Sequence, residues 1–262
     1  MKVATLASGS SGNAIFIESG QEKILVDAGL SGKSIQKALE NINVKPEELS
    51  AILVSHEHID HVKGIGVLSR RFKLPIYATE LTWAAMAPKI GQVSESLCCY
   101  IETDKRLEFG SMSVEFFASN HDAADPIGFN FYEKDRQLGL VTDIGVISNN
   151  VERVLQGADC LILEANHDEE MLKMGSYPWL LKKRIMSDRG HLSNEAAGKS
   201  LINLSCGKKQ KVLLAHLSEE NNLPELAKLT VANLLADAGI VLGRDIELSI
   251  APRFSPSEVI SV

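Results

Sequence analysis

The stretch Ser55-His56-Glu57-His58-Ile59-Asp60-His61 directly follows the apolar run Ala51-Ile52-Leu53-Val54. An apolar run of that length bounded by polar residues predicts a buried strand, so the histidines lie where the chain leaves a sheet. Imidazoles and carboxylates are ligands of catalytic zinc, manganese and iron. A solvated polar turn is the alternative, but the 262 residues contain only seven histidines and three of them fall here. The stretch therefore predicts a metal site.

The spacing within this stretch indicates two ions rather than one. His56 and His58 are two residues apart and can share one ion when the chain is extended. Asp60 and His61 then point elsewhere and can reach a second ion. Ligation by histidine and aspartate with open positions is typical of hydrolytic sites, and such sites accept zinc, manganese or iron.

Composition excludes several classes of protein. Hydrophobic residues make up 45% and charged residues 23% of the chain, as in ordinary globular proteins. The net charge of -7 means that a nucleic-acid ligand would need a local basic patch. The four cysteines form no C-x-x-C pair, so we expect buried thiols in a reducing compartment. No apolar segment is long enough for a signal peptide or a membrane span, and we expect a cytoplasmic protein without membrane attachment.

The predicted elements alternate between strands and helices. Strands are predicted at 3–7, 14–18, 23–26, 51–54, 112–118, 138–142, 160–163 and 211–215. A helix is predicted over 62–72, with Gly64 and Gly66 where backbone passes close to the metal loop. The polar loop 8–13 favours a hairpin connection over a backbone cradle for phosphate. The residues alone support only a mixed α/β fold.

The pattern H-x-H-x-D-H after a buried strand resembles the metal motif of the metallo-β-lactamase superfamily. The resemblance implies an α/β fold of the αββα type, a four-layer sandwich of two mixed β-sheets flanked by helices. It also implies one domain over residues 1–262. The β-CASP insertion of related RNA-processing nucleases is absent, since only 47 residues separate Asp143 from His191.

The resemblance also assigns the metal ligands. His121, Asp143 and His216 each follow a predicted strand, as the remaining ligands of the family do. A lone histidine at such a position would ordinarily be structural. The implied ligands of one ion are His56, His58, His121 and Asp143. Those of the other are Asp60, His61, Asp143 and His216. Asp27 ends the third strand, and the resemblance implies that it supports the ligands.

The phosphodiesterase branch of the superfamily, which includes tRNase Z, implies two further catalytic residues. In that branch a glutamate placed like Glu164 orients a histidine placed like His191, which protonates the leaving oxygen. The alternative is a surface acid and a helix-cap histidine. Ser193 is a candidate N-cap, and a helix N-terminus at Ser193 and Asn194 suits a phosphate.

A basic segment with two aromatic residues follows Tyr177. It offers Lys182, Lys183, Arg184 and Arg189 to a nucleic-acid backbone, and Tyr177 or Trp179 as a stacking platform. A solvated helix face is the equally weighted alternative.

Four motifs together resemble the YycJ/WalJ/VicX family: the loop 8–13, S-H-E-H-x-D-H, S-D-x-G-H-L-S-N and A-H-L-S-E-E-N-N. This resemblance implies a metal-dependent phosphodiesterase, a 5′-to-3′ exonuclease on single-stranded DNA. A hydroxide bridging two divalent ions would attack phosphorus, steered by Asp60. One alternative is a small-molecule hydrolase of a cyclic phosphodiester, lactone or thioester on the same two ions. Another is a non-catalytic, regulatory metal-binding protein.

Overall fold

The computed structural model describes residues 1–262 and contains two seven-stranded sheets. The first sheet has the order β14-β1-β2-β3-β4-β5-β6, and the second has the order β13-β12-β11-β10-β9-β8-β7. The strands are β1 (Lys2–Ala7), β2 (Ala14–Ser19), β3 (Glu22–Val26), β4 (Ala51–Leu53), β5 (Ile76–Ala78), β6 (Cys98–Tyr100), β7 (Arg106–Phe109), β8 (Met112–Ala118), β9 (Ile127–Glu133), β10 (Arg136–Val141), β11 (Cys160–Glu164), β12 (Gln210–Ala215), β13 (Ile246–Ile250) and β14 (Ile260–Ser261).

Nine α-helices connect or cover the strands. They are α1 (Gly32–Asn41), α2 (Ile59–Val62), α3 (Ile65–Phe72), α4 (Glu80–Ile90), α5 (Asn149–Leu155), α6 (Glu169–Met174), α7 (Trp179–Ile185), α8 (Asn194–Leu204) and α9 (Pro224–Asp237). None of these helices is long and apolar enough to cross a membrane.

Three apolar layers hold the four-layer sandwich together. Side chains on a strand alternate between its two faces, so Ile24 packs between the sheets while Leu25 packs against the helices of the first sheet. The same alternation in β11 sends Ile162 between the sheets and Leu163 toward α5, α8 and α9. The predicted αββα sandwich of two mixed sheets is therefore confirmed.

Strand direction brings the ends of distant strands to one edge. Strands β3 and β4 run parallel in the first sheet, and β10, β11 and β12 run parallel in the second. Strand β8 is also parallel to β10, because both pair antiparallel with β9. The carboxyl ends of all these strands can therefore supply side chains to one place.

The helix predicted over 62–72 is wrong in its bounds. The chain forms α2 and α3 with a break at Gly64, whose N–H donates to Ala28 O at 2.7 Å. A Cβ on Gly64 would lie 2.4 Å from Leu30 O, so the glycine permits close packing against the loop after β3. A Cβ on Gly66 would lie 2.0 Å from Ile90 O at the end of α4. The close backbone contacts of Gly64 and Gly66 are therefore with the loop after β3 and the end of α4, and not with the histidine loop as predicted.

Candidate metal centre and active site

The loop after β4 and the end of β8 bring three histidines together. The rings of His56 and His58 lie 4.6 Å apart, and those of His56 and His121 lie 5.1 Å apart. One nitrogen from each ring can face a common point, since the nearest ligand atoms of the three lie within 4.8 Å of one another. His121 is fixed by a contact of 3.0 Å from Nδ1 to Gly190 O, which leaves Nε2 for the cluster.

A second cluster forms from Asp60, His61 and His216. The Nε2 atoms of His61 and His216 lie 3.5 and 3.7 Å from Asp60 Oδ2. Helix α2 aids this arrangement, because it turns the chain so that Asp60 and His61 leave the direction of His56 and His58.

Asp143 lies between the two clusters. Its Oδ2 is 3.1 Å from His61 Nε2, while its Oδ1 is 3.7 Å from His121 Nε2 and 3.6 Å from His216 Nε2. One carboxylate thus reaches imidazoles of both clusters, which is the geometry of a bridging ligand.

Asp27, which follows the third strand, lies behind His61. Its Oδ2 is 2.7 Å from His61 Nδ1 and accepts a hydrogen bond from Ser55 Oγ at 2.7 Å. Its Oδ1 accepts the Ser55 backbone N–H at 2.8 Å. Such contacts fix the ring orientation and leave Nε2 of His61 facing the centre.

Glu164 contacts two histidines with one oxygen. Its Oε1 lies 2.8 Å from His191 Nδ1 and 2.7 Å from His216 Nδ1. Its Oε2 accepts the backbone N–H groups of Ile144 and Leu192. The side chain is fully buried, so the alternative of a surface acid is excluded. Asp143, Glu164, His191 and His216 also come close enough to hold an ion, but both oxygens of Glu164 are already hydrogen-bonded.

Three of these residues have left-handed backbone conformation. Asp27, Asp143 and His216 have φ of 59, 58 and 57°, and each lies within two residues of the end of a strand. Residues other than glycine adopt this conformation at a cost, and such residues cluster at functional sites. Only the polar residue near each strand end could have indicated this conformation from the sequence.

The donors fit a metal. Nε2 of His56 and Nε2 of His216 are buried and make no hydrogen bond. Burial alone would raise the pKa of Glu164, but the charges and hydrogen bonds of His191 and His216 lower it to about 2. Burial also opposes a charge on His216, yet Asp143, Asp60 and Glu164 raise its pKa to about 10. Surroundings that hold a proton on an imidazole this firmly also attract a metal cation.

A cavity of about 250 Å³ opens over the clusters, and we call it the central cavity. One side is formed by Tyr177, Leu181 and Arg184, which belong to α7 and the residues before it. Arg184 pairs with Asp122, which also lines the cavity. Trp179 and Leu180 are 59% and 81% exposed, so this side presents apolar surface to solvent.

The structure corrects three of the predicted substrate contacts, those of Lys182, Ser193 and Asn194. Lys182 is buried, and its Nζ donates to Lys173 O and Gly175 O at the end of α6. Lys182 does not line the central cavity, and Arg189, which donates to His121 O, is exposed beside it. Ser193 caps α8 through Ala196 N, as its N-cap assignment predicts, and Asn194 is fully buried against Asn222. Local charge alone could not distinguish the buried Lys182 from Arg184 and the exposed Lys183.

The loop 8–13 supplies contacts that the sequence analysis did not assign. It joins the antiparallel strands β1 and β2, so the predicted hairpin is confirmed. Asn13 Nδ2 lies 3.0 Å from His61 Nε2, and its Oδ1 accepts the Gly9 N–H at 2.8 Å. Ser10 lines the central cavity. The polar Gly/Ser composition of the loop was the feature of the sequence that could have indicated these contacts.

Known proteins resemble the chain in sequence and fold. The Beta-lactamase superfamily domain matches residues 22–217. Exodeoxyribonuclease WalJ of Streptococcus pneumoniae is 45% identical over 249 residues, which cover 94% of this chain and 93% of that protein. Exodeoxyribonuclease YycJ of Bacillus anthracis is 40% identical over 256 residues, covering 98% and 97%. The metallo-β-lactamase fold protein YhfI of Bacillus subtilis superposes with a TM-score of 0.73 at 19% identity, covering 98% of each chain.

The fold, the gathered histidines and aspartates, and these matches all indicate the same family. The chain belongs to the metallo-β-lactamase superfamily and, within it, to the family that contains WalJ and YycJ.

Proposed function

We propose that this protein is a metal-dependent phosphodiesterase that degrades single-stranded DNA from the 5′ end. The observation that carries the proposal is Glu164 Oε1, shared between His191 and His216 beside the ligand clusters. This contact supports His191 as the acid beside the proposed ion site. The names of the two similar exodeoxyribonucleases support DNA as the substrate.

Two divalent ions of zinc, manganese or iron are proposed. His56, His58, His121 and Asp143 would hold one ion, and Asp60, His61, Asp143 and His216 the other. When bound, such ions polarise phosphoryl oxygens and lower the pKa of water toward roughly 7. Asp27 and Glu164 keep the Nε2 atoms of His61 and His216 directed at the centre.

His191 is proposed as the general acid. Its side chain is 21% exposed and lines the central cavity, so it can reach a substrate. Because Nδ1 faces Glu164, the proton for the leaving oxygen would come from Nε2. Asp60 also lines the cavity, and we propose that its carboxylate steers the attacking water as well as binding an ion.

The α7 side of the cavity is proposed to bind the DNA. Tyr177 and Leu181 offer a ring and an apolar surface to a base, and Arg184 offers charge to phosphates. The exposed Lys183 and Arg189 lie outside the cavity lining and would add charge to its surroundings. A cavity of about 250 Å³ is small for a ligand site, and it suits a strand end better than a duplex.

The setting of the activity is part of the proposal. All four cysteines are free, which supports a reducing compartment, and we propose the cytoplasm. We also propose that residues 1–262 act as one domain without a β-CASP insertion.

A small-molecule hydrolase is the second candidate. The net charge of -7 and the small cavity favour it, because neither feature attracts a long polyanion. Its substrate would be a cyclic phosphodiester, lactone or thioester.

The test is degradation of end-labelled single-stranded DNA by manganese-loaded protein. Wild type is compared with Asp60→Ala, His191→Ala and a control, Asp188→Ala, which removes an exposed acid near the site. Release of mononucleotides from the 5′ end by wild type and the control, lost in both other variants, is expected. Hydrolysis of bis-p-nitrophenyl phosphate without DNA cleavage would favour the small-molecule candidate. Bound metal without either activity would favour a regulatory protein.

A further inference from the structure

A second cavity of about 370 Å³ adjoins the central cavity. The two cavities share Ser218, which follows His216 in the loop after β12. Ser8, Asn222 and Arg253 also line the second cavity, and Leu223 and Pro224 supply apolar surface. We call this space the Arg253 cavity.

Arg253 is incompletely paired. Its Nη2 donates to Leu217 O at 2.6 Å, while Nη1 is buried and makes no hydrogen bond. The nearest carboxylate oxygen, Glu219 Oε2, lies 4.0 Å from Nη1 and belongs to a side chain that is 68% exposed. A buried N–H without a partner is costly, and a guanidinium prefers a carboxylate or phosphate. Because the surrounding residues screen Nη1 from solvent, an anion would approach the guanidinium from the Arg253 cavity, at the edge of the side chain that is 17% exposed.

The Arg253 guanidinium packs against the loop 8–13. A Cβ on Gly9 would lie 2.7 Å from Nη1 and 3.1 Å from Leu217 O, so glycine permits the close approach. The preceding residue, Ser8, accepts the His216 backbone N–H with its Oγ at 2.7 Å. The following residue, Ser10, lines the central cavity. A substrate strand could therefore pass from one cavity to the other across Ser10 and Ser218.

We propose that Arg253 binds a backbone phosphate of the substrate strand, away from the phosphate that is cleaved. The adjacent Phe254 is 73% exposed and offers its ring to a base. This inference rests on the proposed exonuclease function and adds a second subsite to it.

The test uses single-stranded oligonucleotides, each with one uncharged methylphosphonate linkage at a different position. Wild type is compared with Arg253→Gln and Arg253→Lys. The matched control is Arg244→Gln, which removes an exposed arginine that pairs with Asp245 and lines neither cavity. For wild type, one linkage beyond the cleaved one is expected to lower kcat/KM about tenfold.

In Arg253→Gln that same linkage should have no further effect, because the two changes remove one interaction. Arg253→Lys should retain part of the effect, and Arg244→Gln should match wild type. An unchanged linkage profile in Arg253→Gln would overturn the subsite. An equal loss on every oligonucleotide would also overturn it, since Arg253 would then only hold the loop at Leu217. Failure of wild type to degrade DNA would instead refute the exonuclease function, on which the subsite depends.

Discussion

The two sides of the central cavity are built differently. The ligand side, with His61 and Asp143 as examples, is buried, and its side chains are fixed by further contacts such as Asp27 on His61. On the α7 side, Trp179 and Leu180 are largely exposed, and the pair between Arg184 and Asp122 is partly open to solvent. Chemistry that depends on the geometry of bound ions requires a buried surface with fixed side chains. Recognition of varied bases tolerates an exposed surface. Substitutions should therefore affect different kinetic constants on the two sides.

The largest effect is expected for Asp143→Asn. The change keeps the shape of the only carboxylate that reaches imidazoles of both clusters but removes its charge. Activity should fall at least about 10³-fold, with fewer ions bound per chain. Metal content by mass spectrometry and the rate of DNA degradation check this. Asp188→Asn should bind metal like wild type, and normal metal content in Asp143→Asn would contradict the bridging role.

A smaller effect is expected for Glu164→Gln. The substitution removes the charge that orients His191 and His216, so kcat should fall about 10²-fold. Metal affinity should weaken by about 10–100-fold, because the supporting carboxylate is lost. Steady-state kinetics at saturating manganese separates the two effects. Glu170→Gln, on a side chain that is 79% exposed, is the matched control. Full recovery of kcat by excess manganese would mean that Glu164 serves only the metal.

On the α7 side, Tyr177→Leu should act mainly on KM. Loss of a stacking ring weakens binding by about 1–3 kcal/mol, so KM should rise roughly tenfold with a much smaller change in kcat.

Arg184→Gln should weaken binding of all sequences alike and reduce the salt dependence of binding by about one phosphate contact. Titration of DNA affinity against salt measures this. A loss confined to kcat in either variant would show that α7 contributes to chemistry instead.

The smallest effects compare two neighbouring lysines. Lys182→Met should lower the free energy of unfolding by about 1–3 kcal/mol, because Lys173 O and Gly175 O lose their donor. Lys183→Met should change it by less than about 0.5 kcal/mol, since Lys183 is exposed and its Nζ lies over the Trp179 ring at 5.5 Å. Thermal unfolding of both variants tests the assignment. Equal stability of the two would contradict the buried role of Lys182.

The contrast between the ligand side and the α7 side of the central cavity also explains what the sequence could predict. The histidine loop and the strand ends at Asp143 and His216 have local signals, since each polar residue follows an apolar run. Parallel pairing of the strands then places these ends at the same edge of a sheet. The sandwich itself followed from family resemblance, because alternation supports only a mixed α/β fold.

The roles on the α7 side depend on which way a helix faces, and local charge does not reveal that. Lys182 and Arg184 are both basic, yet one holds the end of α6 and the other lines the cavity. Likewise, the sharing of Glu164 between two histidines depends on the relative positions of β11, β12 and the loop before α8. Such long-range packing is not encoded in any single motif.

The most direct test of the two-ion centre is anomalous diffraction from crystals of the protein grown with manganese. Two peaks are expected, one among His56, His58 and His121 and one among Asp60, His61 and His216, with Asp143 between them. Glu164 should contact neither ion and should remain hydrogen-bonded to His191. A single peak, or a peak ligated by Glu164 and His191, would refute the two-ion centre.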